Sequence, residues 1–304
     1  MFRVLLTILL FLKTILLFSA DDTCSFKVII NGEKTDLNIF SIFVMPSNDI
    51  KLQIISDEKF SVHFRDKNIS SISKEHLIKA PSEKGLYKLL IASEPSDSML
   101  INVFVKVPLS KMNGEFLNGY RIGKYPEKPL NDNPVYAKPK GLIEVTEANQ
   151  FTNISPNFTL SDFVCKQEGS FPKYVLIRSK LILKLEYIHR LLRSKGISLT
   201  KFKFISAYRT PFYNKSIGNV KNSRHIYGGA ADIYIDEDNN GRMDDLNKDG
   251  KLDQNDAEYL YRLIDEQHTK GEYKEYIGGL GKYKRTSAHP AFIHIDTRGF
   301  KARW

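Results

Sequence analysis

Apolar and polar positions follow two different periods along this chain. From about residue 24 to residue 108 they alternate over short runs, at 26–30, 40–44, 50–55, 60–64, 85–90 and 99–107. A period of two places one face of each run in a core and the other in water, as half-buried strands do. Asn31-Gly32, Ser47-Asn48-Asp49 and Ser93-Glu94-Pro95-Ser96 separate the runs with turn-forming residues. Six or seven short strands within roughly 85 residues predict a small all-β sandwich of immunoglobulin-like type over residues 21–108. His63 and His76 stand alone there and read as ordinary strand and loop residues.

The alternation then stops. Residues 109–153 are rich in Gly, Pro, Asn and Tyr, with stretches such as Asn118-Gly119-Tyr120 and Asn131-Asp132-Asn133-Pro134 that carry neither period. This segment reads as a linker whose tyrosines pack on a neighbouring surface. A helical period takes over within residues 154–304. Thr159-Leu160-Ser161-Asp162 resembles a capping box at the start of a short helix. Leu176, Ile177, Leu181, Leu185, Ile188 and Leu192 form one apolar face of a long helix over 174–195, stopped by Gly196. His189, on that helix, reads as structural. A strand at 203–206, a helix at 254–268, a Gly-rich turn at 277–281 and a strand at 292–297 follow. Helices before and between strands predict an α+β domain with a small antiparallel sheet.

Charge and the N-terminus narrow the partners and the compartment. The chain carries 45 basic and 35 acidic side chains, a net charge of +10. That suits nucleic acid, an anionic membrane surface or an anionic polymer such as bacterial cell wall. No zinc knuckle, RNP-type aromatic motif or Lys/Arg helix stripe points to nucleic acid. Met1-Phe2-Arg3, a mostly apolar stretch to Phe18 and then Ser19-Ala20 have the layout of a secretory signal over residues 1–20. Export to the periplasm or cell envelope is expected. The stretch is short for a membrane span, so an uncleaved anchor is the lesser reading. Asp22-Thr23 before Cys24 is unlike a lipoprotein signal. Export permits a disulfide between the two cysteines, Cys24 and Cys165; two free thiols are the other reading.

The candidate chemistry lies in two short stretches. His225 and Asp232 stand seven positions apart, with Gly228, Gly229, Ala230 and Ala231 between them. These small residues let a loop turn into a strand and bring both side chains to one point. His294 sits in the run Phe292-Ile293-His294-Ile295-Asp296, whose alternation points His294 and Asp296 to one face. Two imidazoles and a carboxylate hold one zinc ion and leave a position for water, a donor set built for hydrolysis. Asp296 then either orients His294 or acts on the water.

The wider pattern is more specific than its parts. Ser206-Ala207-Tyr208-Arg209-Thr210-Pro211 with Asn214, Ser223-x-His225-x-x-Gly228-x-Ala230-x-Asp232, Gly278-Gly279-Leu280-Gly281-x-Tyr283 and Phe292-Ile293-His294-Ile295-Asp296-x-Arg298-Gly299 occur in this order. The set resembles the zinc D-Ala-D-Ala metallopeptidases, peptidoglycan hydrolases of the hedgehog/DD-peptidase fold, over about 154–304. The Arg303-Trp304 ending is similar to the Arg-x-Trp of a periplasmic branch. The resemblance implies His225, Asp232 and His294 as zinc ligands. It implies Arg209 as the group that binds a substrate carboxylate and Ser223 as a partner of the substrate terminus. A structural salt bridge is the other reading for Arg209, and a turn residue for Ser223. Many members place Glu or His two or three residues before the last zinc histidine as general base. Here Ala291 and Phe292 occupy those positions. His289, Asp296 and water-mediated help from another loop remain as candidates for a role worth roughly 10²–10⁴-fold in rate.

A second cluster follows Asp232. Between residues 236 and 256 eight acidic side chains stand against three basic ones. Calcium loops place oxygen ligands at positions 1, 3, 5, 7, 9 and 12, with Gly at 6. Counting from Asp245 gives Asp245, Asn247, Asp249, Gly250, Asp253 and Asp256; counting from Asp236 gives Asp236, Asp238, Asn240, Gly241, Asp244 and Asn247. One or two calcium ions are expected there, bracing the segment after Asp232. Asp or Asn at the twelfth position is shorter than the usual bidentate Glu. A solvated acidic loop that offsets the basic domain is the other reading.

The sequence therefore predicts an exported zinc hydrolase with calcium as a second cofactor, and the resemblance implies a peptidase that acts on stems or cross-links of peptidoglycan as a DD-carboxypeptidase or endopeptidase. The unfilled base positions support a second expectation, a non-catalytic cell-wall-binding or scaffold protein that keeps the zinc fold.

Overall fold

The computed structural model describes residues 22–304, apart from 66, 71–73 and 94–96 and the side chains of 67–70 and 272. The expected signal segment, 1–20, lies outside them. The chain divides into two compact units. One holds the residues up to Val105 with Ile154–Pro156, the other Lys106–Asn153 with Asn157–Trp304. No helix among the described residues is long and apolar enough to cross a membrane.

The first unit has no helix among its described residues. One sheet runs Glu33–Leu37, Thr23–Ile30, Asp49–Ile55, Glu75–Lys79; the other runs Ile39–Val44, Asp97–Val105, Gly85–Ser93, Phe60–Phe64, Lys67–Ser70. Ile50, Leu52 and Ile54 are buried while their sequence neighbours are exposed, which is the alternation seen in the sequence. Phe26 of the first sheet lies 6.3 Å from Phe60 of the second, centroid to centroid. Asn31 and Gly32 both have positive φ, +50° and +87°, as a two-residue hairpin turn requires, and Ile30 pairs with Glu33 across it. Three strands escape the sequence pattern: Glu33–Leu37, Lys67–Ser70 and Glu75–Lys79. All three lie at sheet edges.

The second unit is built on a five-stranded sheet in the order Lys203–Ser206, Ala230–Tyr234, Phe292–Asp296, Gly279–Tyr283, Ala302–Arg303. Its first four strands are antiparallel to their neighbours and the last is parallel. The helix Ser179–Ser194 buries Leu181, Leu185, Ile188 and Leu192 together with Lys184. The Lys184 Nζ donates to the Asp296 carbonyl at 2.8 Å, which fixes this helix against the strand that carries His294. His189 is buried against Phe158 and Phe202, in keeping with a structural role.

Several elements differ from the sequence expectation. The long helix begins at Ser179 and not at 174, because Lys173–Val175 pairs as a strand with 143–145; aromatic and β-branched residues suit that half-buried ladder. The strand read through 107 ends at Val105, and Val107–Pro108 pairs with 141–142 in the second unit. The segment read as a linker lies in that unit, with Leu117, Tyr120, Ile122, Tyr125, Tyr136 and Leu142 buried. The Gly-rich turn is a strand, Gly279–Tyr283. A Cβ at Gly278 would collide with the Asp296 carbonyl, and one at Gly281 with the Trp304 indole, so these glycines mark close backbone approach. The Thr159 capping box forms on a short 3-10 turn, where Asp162 accepts from the Thr159 N–H at 2.7 Å. Cys24 and Cys165 are free and buried.

Candidate metal centre

Asp232 lies in the middle of Ala230–Tyr234, paired with Ser206 on one side and with His294 on the other. Directly opposed residues have Cβ atoms about 4.5–5.5 Å apart, so sheet register alone brings two of the three expected ligands together. The third comes from the 3-10 turn Arg224–Tyr227. Gly228 closes this turn at φ +63°, and a Cβ there would collide with the Leu176 carbonyl oxygen. The small residues between His225 and Asp232 thus serve a tight passage from turn to strand.

The three side chains are buried and converge. His225 Nε2 lies 3.2 Å from Asp232 Oδ2 and 3.3 Å from His294 Nδ1. His294 Nδ1 lies 2.7 Å from Asp232 Oδ1. His225 Nδ1 donates to the Ala207 carbonyl at 2.5 Å, which leaves the Nε2 lone pair facing the group. His294 Nε2 lies 3.2 Å from Asp296 Oδ2, which accepts a hydrogen bond from Nε2–H and leaves Nδ1 facing the group. Both imidazoles are held in the tautomer a metal ligand needs. Two donors at 2.0–2.1 Å from a tetrahedral zinc stand about 3.3 Å apart, close to the spacing of His225 Nε2 from its two neighbours. The donor set fits zinc.

A ring of charged groups supports this trio. Arg209 donates from Nη2 to Asp232 Oδ2 at 2.6 Å and from Nε to Ser206 Oγ at 2.7 Å. Arg298 donates from Nε and Nη2 to Asp296 Oδ2 at 2.9 and 2.5 Å, and the Gly279 N–H reaches Asp296 Oδ1 at 2.8 Å. Burial pushes the Asp232 carboxyl up, but the adjoining His225 and His294 overcome this and hold it well below the usual carboxylate range. Asp296 is likewise raised by burial and brought far down by His294 and Arg298. Burial lowers His225. For His294 burial also pulls downward, but its hydrogen bonds to Asp232 and Asp296 more than offset that, and its pKa is raised.

The remaining expected site residues are distributed as follows. Ser223 is buried and directly precedes the His225 turn. Arg209 forms a salt bridge with Asp232. Ala291 and Phe292 are buried and apolar. His289 is half-buried, with Nδ1 2.8 Å from the Pro290 carbonyl and its ring edge-on to Phe292 at 4.9 Å. Phe292 is two positions before His294 and shares its face of the strand.

In the first acidic loop, carboxylate oxygens of Asp236, Asp238 and Asp244 gather within 4.8 Å of one another. Asp236 accepts from the Asn240 and Gly241 N–H groups, and Asn240 from that of Arg242. In the second, Asp245 accepts from Asp249 and Gly250, Asn247 from Asp249, and Asp249 from Lys251. Asp253 and Asp256 are occupied as a capping box for the helix Gln254–Asp265, and Asp256 also accepts from the Leu246 N–H at 2.8 Å. Among the described residues no three carboxylates of this second loop gather as those of the first do.

Four residues beside the trio were not foreseen in these roles: Lys184, Arg298, Tyr283 and Trp304. The Trp304 indole lies 5.2 Å from the His294 ring, and its Nε1 donates to Tyr283 Oη at 2.6 Å. Arg298 had a signal, since it stands two residues beyond Asp296 on an extended chain. Lys184 had one as well, a lysine among the apolar positions of an otherwise regular helix face.

Residues 156–260 match the family model described as Peptidase M15. M15 is a metallopeptidase family, and the match supports the resemblance to the zinc D-Ala-D-Ala metallopeptidases. It takes in His225 and Asp232 and ends before His294; it bears on zinc and not on calcium. No curated protein and no solved structure matches the chain.

Proposed function

We propose, from this match and from the geometry of the trio, that the second unit is a zinc-dependent peptidase that cuts peptide bonds in peptidoglycan stems or cross-links, as a DD-carboxypeptidase or endopeptidase. The observation that carries the reading is the convergence of His225, Asp232 and His294 with both imidazole tautomers set from outside. His225, Asp232 and His294 would hold a zinc ion, which would supply polarisation of a scissile carbonyl and activation of water near neutral pH.

The side chains around the trio divide the remaining work. Arg209 fixes Asp232 and ties it to Ser206. Asp296, itself held by Arg298, fixes the ring plane and tautomer of His294. Asp296 is a poor base, because hydrogen bonds from His294, Arg298 and Gly279 already engage its oxygens and keep its pKa low. His289 is the better candidate: with its Nδ1 proton on the Pro290 carbonyl, Nε2 is left to accept one. Tyr283, Phe292 and Trp304 give the neighbourhood of His294 aromatic walls, with Tyr283 and Phe292 stacked at 4.6 Å.

The buried, apolar Ala291 and Phe292 favour a second reading, a wall-binding or scaffold protein that retains the metal site. Under either reading the net charge of +10 draws the chain to an anionic wall through long-range attraction. The apolar N-terminal stretch supports a location in the periplasm or cell envelope. Mass spectrometry of sacculi digested with and without a zinc-selective chelator separates the two readings. New muropeptides that vanish with chelator identify the peptidase, and their masses name the bond. Unchanged sacculi with zinc bound would transfer the assignment to the binding protein.

A further inference from the structure

The second unit contains a cavity of about 660 Å³ to which none of the three metal-binding residues contributes. Its wall includes Ile226, next in the chain after His225, and Pro211, two residues beyond Arg209. Three lysines line it, Lys124, Lys215 and Lys221. All three are exposed, and none has an ion-pair partner among the described residues. The acid that lines it, Glu115, is already neutralised: Arg121 donates to its Oε2 from Nε at 3.0 Å and from Nη2 at 2.9 Å. The Arg121 guanidinium in turn lies 4.0 Å over the Phe212 ring. The cavity therefore presents three uncompensated positive charges over an apolar wall that includes Phe212 and Ile226.

One acceptor in the wall is also unsatisfied. Asn214 is 3% exposed. Its Nδ2 donates to the Val220 carbonyl at 3.0 Å, while its Oδ1 is buried without a hydrogen-bond partner. A buried amide oxygen left unpaired is unfavourable, and a peptide N–H is one donor that suits it. Inorganic anions gain nothing from the apolar wall. A peptide that carries carboxylates brings charge, N–H groups and aliphatic surface together.

We propose that this cavity receives an acidic peptide arm of the substrate, the portion that bears free carboxylates away from the bond to be cut. The assignment rests on the peptidoglycan reading above and adds the element that selects the stem. Lys215 lies in the last turn of the short helix Pro211–Ser216, which follows Arg209, and Lys221 stands four residues before His225. The segments that hold the metal group thus also carry the cations.

The test is calorimetric binding to the full chain stripped of metal, so that nothing is cut. The probes are a synthetic stem pentapeptide with free carboxylates and the same peptide fully amidated. The free-acid peptide is expected to bind about tenfold tighter through two or three exposed ion pairs, and the preference should shrink with added salt. Lys215→Gln/Lys221→Gln should abolish the preference, and Lys215→Arg/Lys221→Arg should restore it. Lys124→Gln, on a separate segment, provides an independent reduction. Equal binding of the two peptides by the wild-type chain, or an undiminished preference in the Gln variant, overturns the assignment. Uncut sacculi alongside a preserved acid preference would remove the peptidase and leave the acidic-peptide site standing.

Discussion

Asp232 and His294 face each other across two antiparallel strands with 2.7 Å between Oδ1 and Nδ1, and each is tied from behind by a further charged group. Arg209 holds Asp232 and Asp296 holds His294. In the absence of metal the pair satisfies itself as an ion pair, with a proton on the nitrogen that zinc would take. Metal binding is therefore an exchange of cations at a prepared position.

That exchange has a defined pH dependence. The His294 pKa is raised above its ordinary value of 6.5 in the folded chain. The proton's contribution to the stability of the metal-free chain is thus fully present below that value and is lost as pH rises through the folded pKa. Zinc competes with the same proton. Zinc affinity should rise with pH across the neutral range, with release of about one proton on binding. Calorimetry in buffers of different ionisation enthalpy measures this; uptake without proton release would show that His294 is already neutral in the metal-free chain.

His225→Ala and Asp232→Ala should both abolish stoichiometric zinc and any chelator-sensitive hydrolysis, yet differ in stability. His225→Ala removes an imidazole that burial keeps toward neutrality. Asp232→Ala strands the buried Arg209, and breaking a buried pair costs about 3–5 kcal/mol. Metal analysis and denaturant melts of the two variants check the contrast. Equal stability would show that Arg209 has another anchor.

Asp296→Asn keeps the size of the side chain but removes the charge that holds the His294 tautomer. Loss of such a supporting group typically lowers metal affinity by about 10–100-fold. Competition with a chromophoric chelator reads this directly. A variant that retains wild-type affinity would assign Asp296 to packing alone.

His289→Ala should leave zinc content unchanged and lower the hydrolytic rate by about 10²–10⁴-fold, the usual contribution of a positioned base. An unaltered rate would hand proton transfer to water or to another loop.

Gly278→Ala should destabilise the chain although no charge or ligand is touched, because its Cβ would overlap the Asp296 carbonyl. Overpacking of this kind costs about 1–3 kcal/mol. A thermal midpoint equal to that of wild type would mean that the 279–283 strand can move away from its neighbour.

Much of the centre was legible in the sequence because it depends on register and spacing. His294 and Asp296 share a face through simple alternation, and the glycines and alanines after His225 announce a tight turn into a strand. The strands that escaped detection, such as Glu33–Leu37 and Glu75–Lys79, lie at sheet edges, where one partner is missing and polar residues are tolerated. The start of the helix at Ser179 was hidden because Tyr174 to Ile177 fit either period, and only the partner strand at 143–145 decides between them. Gly278 to Gly281 read as a turn because a sequence shows that a side chain is missing and not which neighbour requires its absence. The pairing of Arg209 with Asp232 depends on contacts that no local pattern encodes.

The segment 106–153 precedes the family match yet reaches the turn that carries His225. The Val135 carbonyl accepts from Arg178 at 3.0 Å and from Arg224 at 2.5 Å. Tyr136 lies edge-on to Tyr227 at 5.5 Å, and Tyr125 Oη lies 2.8 Å from Tyr208 Oη. A fragment cut where recognisable similarity begins, at residue 156, would leave the Arg224 guanidinium without its acceptor, reduce Arg178 to the Tyr227 carbonyl and bare one side of the turn. The smallest independently folding piece of this enzyme-like half should accordingly begin near Lys106, some fifty residues ahead of the border that homology draws.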